Sequence, residues 1–238
     1  MTPSASRQAR LPCLLVLAGS LTACGGDQSA LAPAGSAARD VALLWWWMLG
    51  VSAVVLLAVC GLWLWAQFRT PPPTDQDTEQ RIARRWLIGG GLALPLVAIT
   101  VLLAFGIPIG HRMLPLPLTE APMKIEVTGH QWWWEVHYPD TGITLEDHII
   151  MPAGRPVDFH LESADVIHSF WVPRLGGKID MIPGRTNVLR LQADAPGRFR
   201  GQCAEFCGLR HAHMVLTVEA LAEDDWQAWL ADQQEAGE

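Results

Sequence analysis

The stretch CAEFCGLRHAHM, Cys203 to Met214, gathers two thiols, two imidazoles and a thioether within twelve positions. Three chemistries suit such a set. The cysteines could join in a disulfide, the default for a C-x3-C pair in an oxidising compartment, although closing so short a loop gains little stability. With two histidines they could hold a structural zinc ion. The spacing C-x3-H-x2-M, Cys207, His211 and Met214, also offers thiolate, imidazole and weak thioether, a donor set that favours copper over hard cations. His168, in ADVIHSFWVP between two expected strands, is the suitable upstream imidazole. Two thiolates on one turn can each bridge a pair of ions, leaving one imidazole per ion and the thioether and a main-chain carbonyl as distant ligands. One electron shared over two coppers needs little reorganisation, which suits a relay better than a bond-making catalyst.

The rest of the chain says where such a loop must stand. Half of the 238 residues are apolar and twelve are Trp, which strains a purely soluble reading. The start, MTPSASRQARLPCLLVLAGSLTAC, has a basic beginning, a short apolar run and small residues before Cys24, the pattern of an export signal. LTAC resembles a bacterial lipobox. Residues 1–23 are therefore expected to be a lipoprotein-type signal peptide, Cys24 the lipidated first mature residue, and 24–40 an exterior segment. Residues 41–66 and 86–109 carry no charge and each exceed the length a bilayer core requires, so both are expected to be transmembrane helices. The loop between them, 67–85, holds Arg69, Arg81, Arg84 and Arg85, against Arg39 alone ahead of the first span. The positive-inside rule puts that loop in the cytoplasm and both termini on the exterior, periplasmic side of a bacterial inner membrane.

Residues 110–238 carry nineteen acidic against ten basic side chains, which argues against nucleic acid as a partner and suits a basic protein. Segments such as MKIEVTG, WWEVHY, ITLEDHIIM, RPVDFHLES, TNVLRLQAD, GRFRGQC and HMVLTVEA, separated by Pro and Gly, predict a β-sandwich or Greek-key barrel. LAEDDWQAWLADQ, residues 221–233, has acids in its first turn and Trp226, Trp229 and Leu230 on one face, predicting a C-terminal amphipathic helix. The fold class is thus membrane-anchored all-β.

The combined pattern C-x-E-x-C-x3-H-x2-M with upstream D-V-x-H-S-F resembles subunit II of the haem–copper cytochrome c oxidases. That resemblance implies two membrane helices followed by a cupredoxin-like domain with a dinuclear copper centre, CuA. It implies Cys203 and Cys207 as bridging ligands, His168 and His211 as terminal ligands, and Met214 and the Glu205 carbonyl as weak ligands. The Glu205 carboxylate would also reach a magnesium or manganese ion shared with subunit I. GHQWWWEVHY resembles the family's aromatic segment, making Trp132 the point of electron entry from cytochrome c. Trp133 and Trp134 read equally as packing at the membrane interface. VPRLGGKIDMIPGRTN matches as well and places Lys178 and Asp180 at the contact with subunit I. Asp140 and Asp165 stand where acids face cytochrome c, while His137 replaces another of them, and the stretch before His168 resembles a trimmed hairpin. The family's glutamate ahead of the second helix has no counterpart except Glu79, farther away.

The resemblance implies an electron-accepting subunit of a proton-translocating terminal oxidase, working with subunits I and III, cytochrome c and membrane lipid. A membrane-tethered copper carrier or a zinc domain is the alternative of another class. A quinol oxidase subunit would lack these ligands, and the chain is too short for the propeller of nitrous oxide reductase. No C-x-x-C-H is present, so the electron donor is a separate protein or domain.

Overall fold

A computed structural model describes residues 25–70 and 73–236, so the expected signal peptide, 1–23, and the expected lipidation at Cys24 lie outside the described residues. The chain divides into two compact units: residues up to Ala42 together with those from Leu114, and Leu43–Met113.

The second unit is helical. Helix α1, Ser36–Phe68, runs 33 residues with no acid in its first turn or base in its last. Helix α2, Gln76–Trp86, starts well ahead of the expected Trp86 and occupies half of the segment read as a loop. Asp75 caps it by accepting the Thr78 N–H at 2.9 Å, Asp77 and Glu79 occupy its first turn, and Arg84 and Arg85 its last, each complementing the helix dipole. A π-helical turn, Leu87–Ala93, passes through the Gly89–Gly91 triplet, and α3, Leu94–Arg112, continues it. Two stretches, Ser36–Phe68 and Gln76–Arg112, are long and apolar enough to cross a membrane.

The first unit is built on ten strands in two five-stranded sheets, ordered β3-β2-β1-β5-β8 and β4-β10-β9-β6-β7. The strands are β1 Met123–His130, β2 Trp133–Tyr138, β3 Ile143–Glu146, β4 His148–Pro152, β5 Val157–Ser163, β6 His168–Trp171, β7 Ile179–Met181, β8 Asn187–Leu191, β9 Gly197–Cys203 and β10 Val215–Leu221. Alternation sets the core: Ile125 and Val127 of β1, Trp134, Val136 and Tyr138 of β2, and Val157, Phe159 and Leu161 of β5 all point inward. The core helix cover is α4, Glu223–Ala236, whose Trp226 is buried and stacks on Trp229 at 5.1 Å.

Three local readings change. ITLEDHIIM forms two strands rather than one, because Asp147 adopts φ 54° and carries the chain from one sheet to the other. Its carboxylate accepts the Trp134 N–H at 2.8 Å and its own N–H donates to the Trp134 carbonyl at 2.9 Å, which holds the corner. Trp134 is fully buried between the sheets, so the membrane-interface reading fails for it. His168 opens a strand instead of lying in a loop, since β6 and β7 are four and three residues long and too short to show alternation.

Residues 25–42 lie on this same unit. The Ala34 N–H donates to the Arg174 carbonyl at 2.7 Å, and the Asp194 N–H to the Ala34 carbonyl at 2.9 Å. Arg39 pairs with Asp194 at 2.6 Å, and Gln28 donates to Gln202. At Gly35 an added Cβ would stand 2.5 Å from the Gln192 carbonyl oxygen, a fit only glycine allows.

Candidate metal centre

Strand β9 ends on Cys203 and β10 resumes after Met214, so the sulfur-rich stretch is the connection between two neighbouring strands. The Cys203 N–H donates to the Met214 carbonyl at 3.0 Å, bringing the ends of the loop together. A turn of 3-10 helix, His211–His213, sits just before Met214, with the His211 N–H on the Gly208 carbonyl at 3.1 Å. On the other side β6 pairs with β9, Phe170 opposite Cys203, and the Ala204 N–H donates to the Ser169 carbonyl at 2.9 Å. That register brings His168 alongside the cysteines.

The donors fall into two groups around a pair of sulfurs. Both thiols are free, with their Sγ atoms 3.8 Å apart, far beyond a disulfide bond. Cys203 Sγ lies 3.9 Å from His168 Nδ1 and 3.1 Å from the Glu205 carbonyl oxygen. Cys207 Sγ lies 3.6 Å from His211 Nδ1 and 3.7 Å from Met214 Sδ. Among the described residues, His168, Cys203 and Cys207 form a trio whose ligand atoms are all within 4.8 Å of one another. His168, Cys203, Cys207 and Met214 are buried, whereas His211 is half-buried and His213 exposed.

The electrostatics prepare sulfur for a cation. Burial opposes ionisation of Cys203, yet His168 and the backbone at Glu205 and Ser169 bring its thiol down to about 6. Burial, and then the charge on Cys203, push Cys207 up to about 12. His168 is raised above the ordinary imidazole value despite its burial, because Cys203 and Asp165 both favour its proton.

The other expected site residues are dispersed. Trp132 is half-buried against the cysteine loop: a Cβ on Gly208 would stand 3.2 Å from its indole. Asp165 lies beside the site with its carboxylate turned inward, Oδ1 on His168 Nε2 at 2.8 Å and Oδ2 on the Gln131 N–H at 2.7 Å. Asp140 follows the far end of β2, roughly 20 Å of strand away from Trp132. Glu205, Lys178 and Asp180 are exposed. Lys178 lines a cavity of about 570 Å³ together with Trp171, Gln202, Cys203, Ala204 and His211. Phe206 and Leu209, 77% and 92% exposed, project from the cysteine loop itself. Gln131 escaped the sequence reading, although it stands beside Trp132 in the aromatic block.

A two-sheet sandwich that gathers thiols, imidazoles and a thioether at the β9–β10 connection and the start of β6, in a chain with two helices long and apolar enough to span a bilayer, is a cupredoxin-like domain. The model for the periplasmic domain of cytochrome c oxidase subunit II matches residues 141–221. Cytochrome c oxidase subunit 2 of Alkalihalophilus pseudofirmus is 37% identical over 220 residues, covering 88% of this chain and 64% of the relative. The Cereibacter sphaeroides counterpart is 29% identical over 215 residues, covering 74% of this chain and 69% of the relative. The crystal structure of the periplasmic domain of subunit II of cytochrome oxidase from Bradyrhizobium japonicum is 29% identical, with a TM-score of 0.48, over 50% of this chain and 99% of that one. These matches support cytochrome c oxidase subunit II as the family of this chain, which spans less than two thirds of the Alkalihalophilus relative. Its His168–Cys203–Cys207 cluster is compatible with copper.

Proposed function

We propose that the chain is the electron-accepting subunit of a cytochrome c oxidase, holding two copper ions that take electrons from reduced cytochrome c. One observation carries this reading: each sulfur has its own imidazole and its own weak donor, His168 and the Glu205 carbonyl at Cys203, His211 and Met214 at Cys207. A single tetrahedral ion would need both imidazoles close to both sulfurs, and His211 is not in the compact trio. The split therefore favours two metals over a zinc cage. Bound copper would supply a one-electron store spread over two ions.

The chain's residues would do the rest. Cys203, Cys207, His168 and His211 would hold the ions, with Met214 and the Glu205 carbonyl as weak donors, and the buried sandwich beneath would keep water from the sulfurs. Trp132 lies against the cysteine loop at Gly208 and would receive electrons, and the exposed Phe206 and Leu209 project from the same loop. The cavity side, with Lys178 nearby, would face subunit I, and the Glu205 carboxylate would reach the magnesium or manganese ion there. Asp165 and the more distant Asp140 are the acids proposed toward cytochrome c, and subunit III would complete the complex. Residues 25–42 fasten to the same unit as the copper loops, which supports both flanks of the helical pair facing the periplasm, with 67–85 inside. Residues 1–23 would be the export signal and Cys24 the lipid attachment.

Cys207→Ser in the assembled oxidase tests this. Membrane insertion should persist while the spectrum of an electron shared by two coppers and cytochrome c oxidation are both lost. Normal turnover would contradict the assignment.

A further inference from the structure

The end of β1 and the turn into β2, residues 129–132, touch both halves of the donor set at once. On one side the Gln131 side chain donates from Nε2 to the Cys207 carbonyl at 2.7 Å. On the other, the Gln131 backbone N–H donates to Asp165 Oδ2 at 2.7 Å, and Asp165 Oδ1 accepts from His168 Nε2 at 2.8 Å. His168 faces Cys203 through Nδ1, so Asp165 holds the nitrogen that ligation leaves free, the usual way a carboxylate fixes the orientation of a ligating imidazole.

There is no slack in this arrangement. A Cβ on Gly129 would stand 3.0 Å from the His168 ring, and one on Gly208 would stand 3.0 Å from Gln131 Nε2. The Ala164 N–H also donates to the Gly129 carbonyl at 3.0 Å, tying the turn to the segment that leads into His168. Gln131 itself is exposed and fills no part of the core.

We infer that Gln131 is a positioning residue for the copper centre: its side chain on the Cys207 carbonyl and its backbone on Asp165 set the separation between the cysteine loop and His168. The inference rests on the copper reading. An exposed residue that ties the cysteine loop by its side chain and the Asp165–His168 pair by its backbone does little for an empty domain, but it limits how far the two can drift when two ions must be held between them. Removing an outer partner of this kind costs roughly tenfold or more in metal affinity.

The test compares wild type, Gln131→Met, which keeps bulk without a donor, and Gln131→Lys, which restores one, in the full-length chain within its oxidase. Copper affinity is read by chelator competition, centre geometry by the electron spin resonance hyperfine pattern, and fold by thermal unfolding of the copper-free protein. Gln131→Met should unfold at the wild-type temperature, lose about tenfold in copper affinity and show an altered hyperfine pattern, with Gln131→Lys recovering at least part of both. An unchanged affinity and pattern in Gln131→Met, or a loss that Gln131→Lys does not repair, would overturn the inference. A wild-type protein without a shared-electron spectrum would instead refute the copper reading, whatever the variants do.

Discussion

Gly208→Ala isolates how tightly the aromatic turn presses on the cysteine loop. Gly208 has φ 122°, a conformation that costs a non-glycine residue about 1–3 kcal/mol. Its new methyl would also meet Gln131 Nε2 at 3.0 Å and the Trp132 indole at 3.2 Å, inside ordinary contact, so the turn must retreat by a few tenths of an ångström. Gly142 is the control, with φ 75° and nothing within 4 Å of an added Cβ. Gly142→Ala should carry backbone strain alone, on the order of 1 kcal/mol. Both variants are expected to lower the unfolding temperature of the copper-free chain. Gly208→Ala alone should also weaken copper binding, by about tenfold, because the turn holding Gln131 has moved. Thermal unfolding and chelator competition on the same preparations read the two quantities separately. If Gly208→Ala weakens copper no more than Gly142→Ala does, the contact between turn and loop has no bearing on the metal.

Two further outcomes follow from the same geometry. Near neutral pH Cys207, pushed up to about 12, still holds its proton while Cys203, at about 6, has largely lost its own, so copper must displace at least one proton. Apparent copper affinity should therefore fall by at least about tenfold for each unit the pH drops, measured with a metal buffer, and a flat profile across the neutral range would contradict the protonation scheme. Tyr138→Phe removes a buried hydroxyl that both donates to the Ile150 carbonyl and accepts the Ile150 N–H, each at 2.8 Å. With two buried backbone groups left unpaired at about 1–3 kcal/mol each, the domain should lose about 2–6 kcal/mol in denaturant unfolding, and a loss below about 0.5 kcal/mol would show that neither bond matters.

The chemistry was more legible than the corners. Cys203, Cys207, His211 and Met214 are close in sequence because one strand connection must present them, so their spacing alone points to a site. His168 was legible as a donor from its type and place, but its strand was not: β6 gains its identity from pairing with β7 and β9, not from any internal alternation. The division at Asp147 depends on a left-handed residue that a short acidic side chain tolerates, and the apolar pattern runs straight through it. The family resemblance places Asp165 toward cytochrome c, but the hydrogen bonds its two oxygens accept from His168 and Gln131 are set by the fold and have no signal in the sequence. The helical start at Gln76 follows from the Asp75 cap, whose meaning is masked by the prolines before it.

The fastening of residues 25–42 bears on how the copper domain can be isolated. A soluble fragment begun at Leu114 would be cut from a segment that occupies the Ala34 hydrogen bonds to Arg174 and Asp194 and fills the Gly35 contact with Gln192. Trimming it would uncover the wall that Ala30, Ala38 and Val41 give to the cavity reaching Cys203 and His211. A fragment joining 25–42 to 114–238 through a short flexible linker, with both membrane helices deleted, keeps that wall and is the better starting point for spectroscopy.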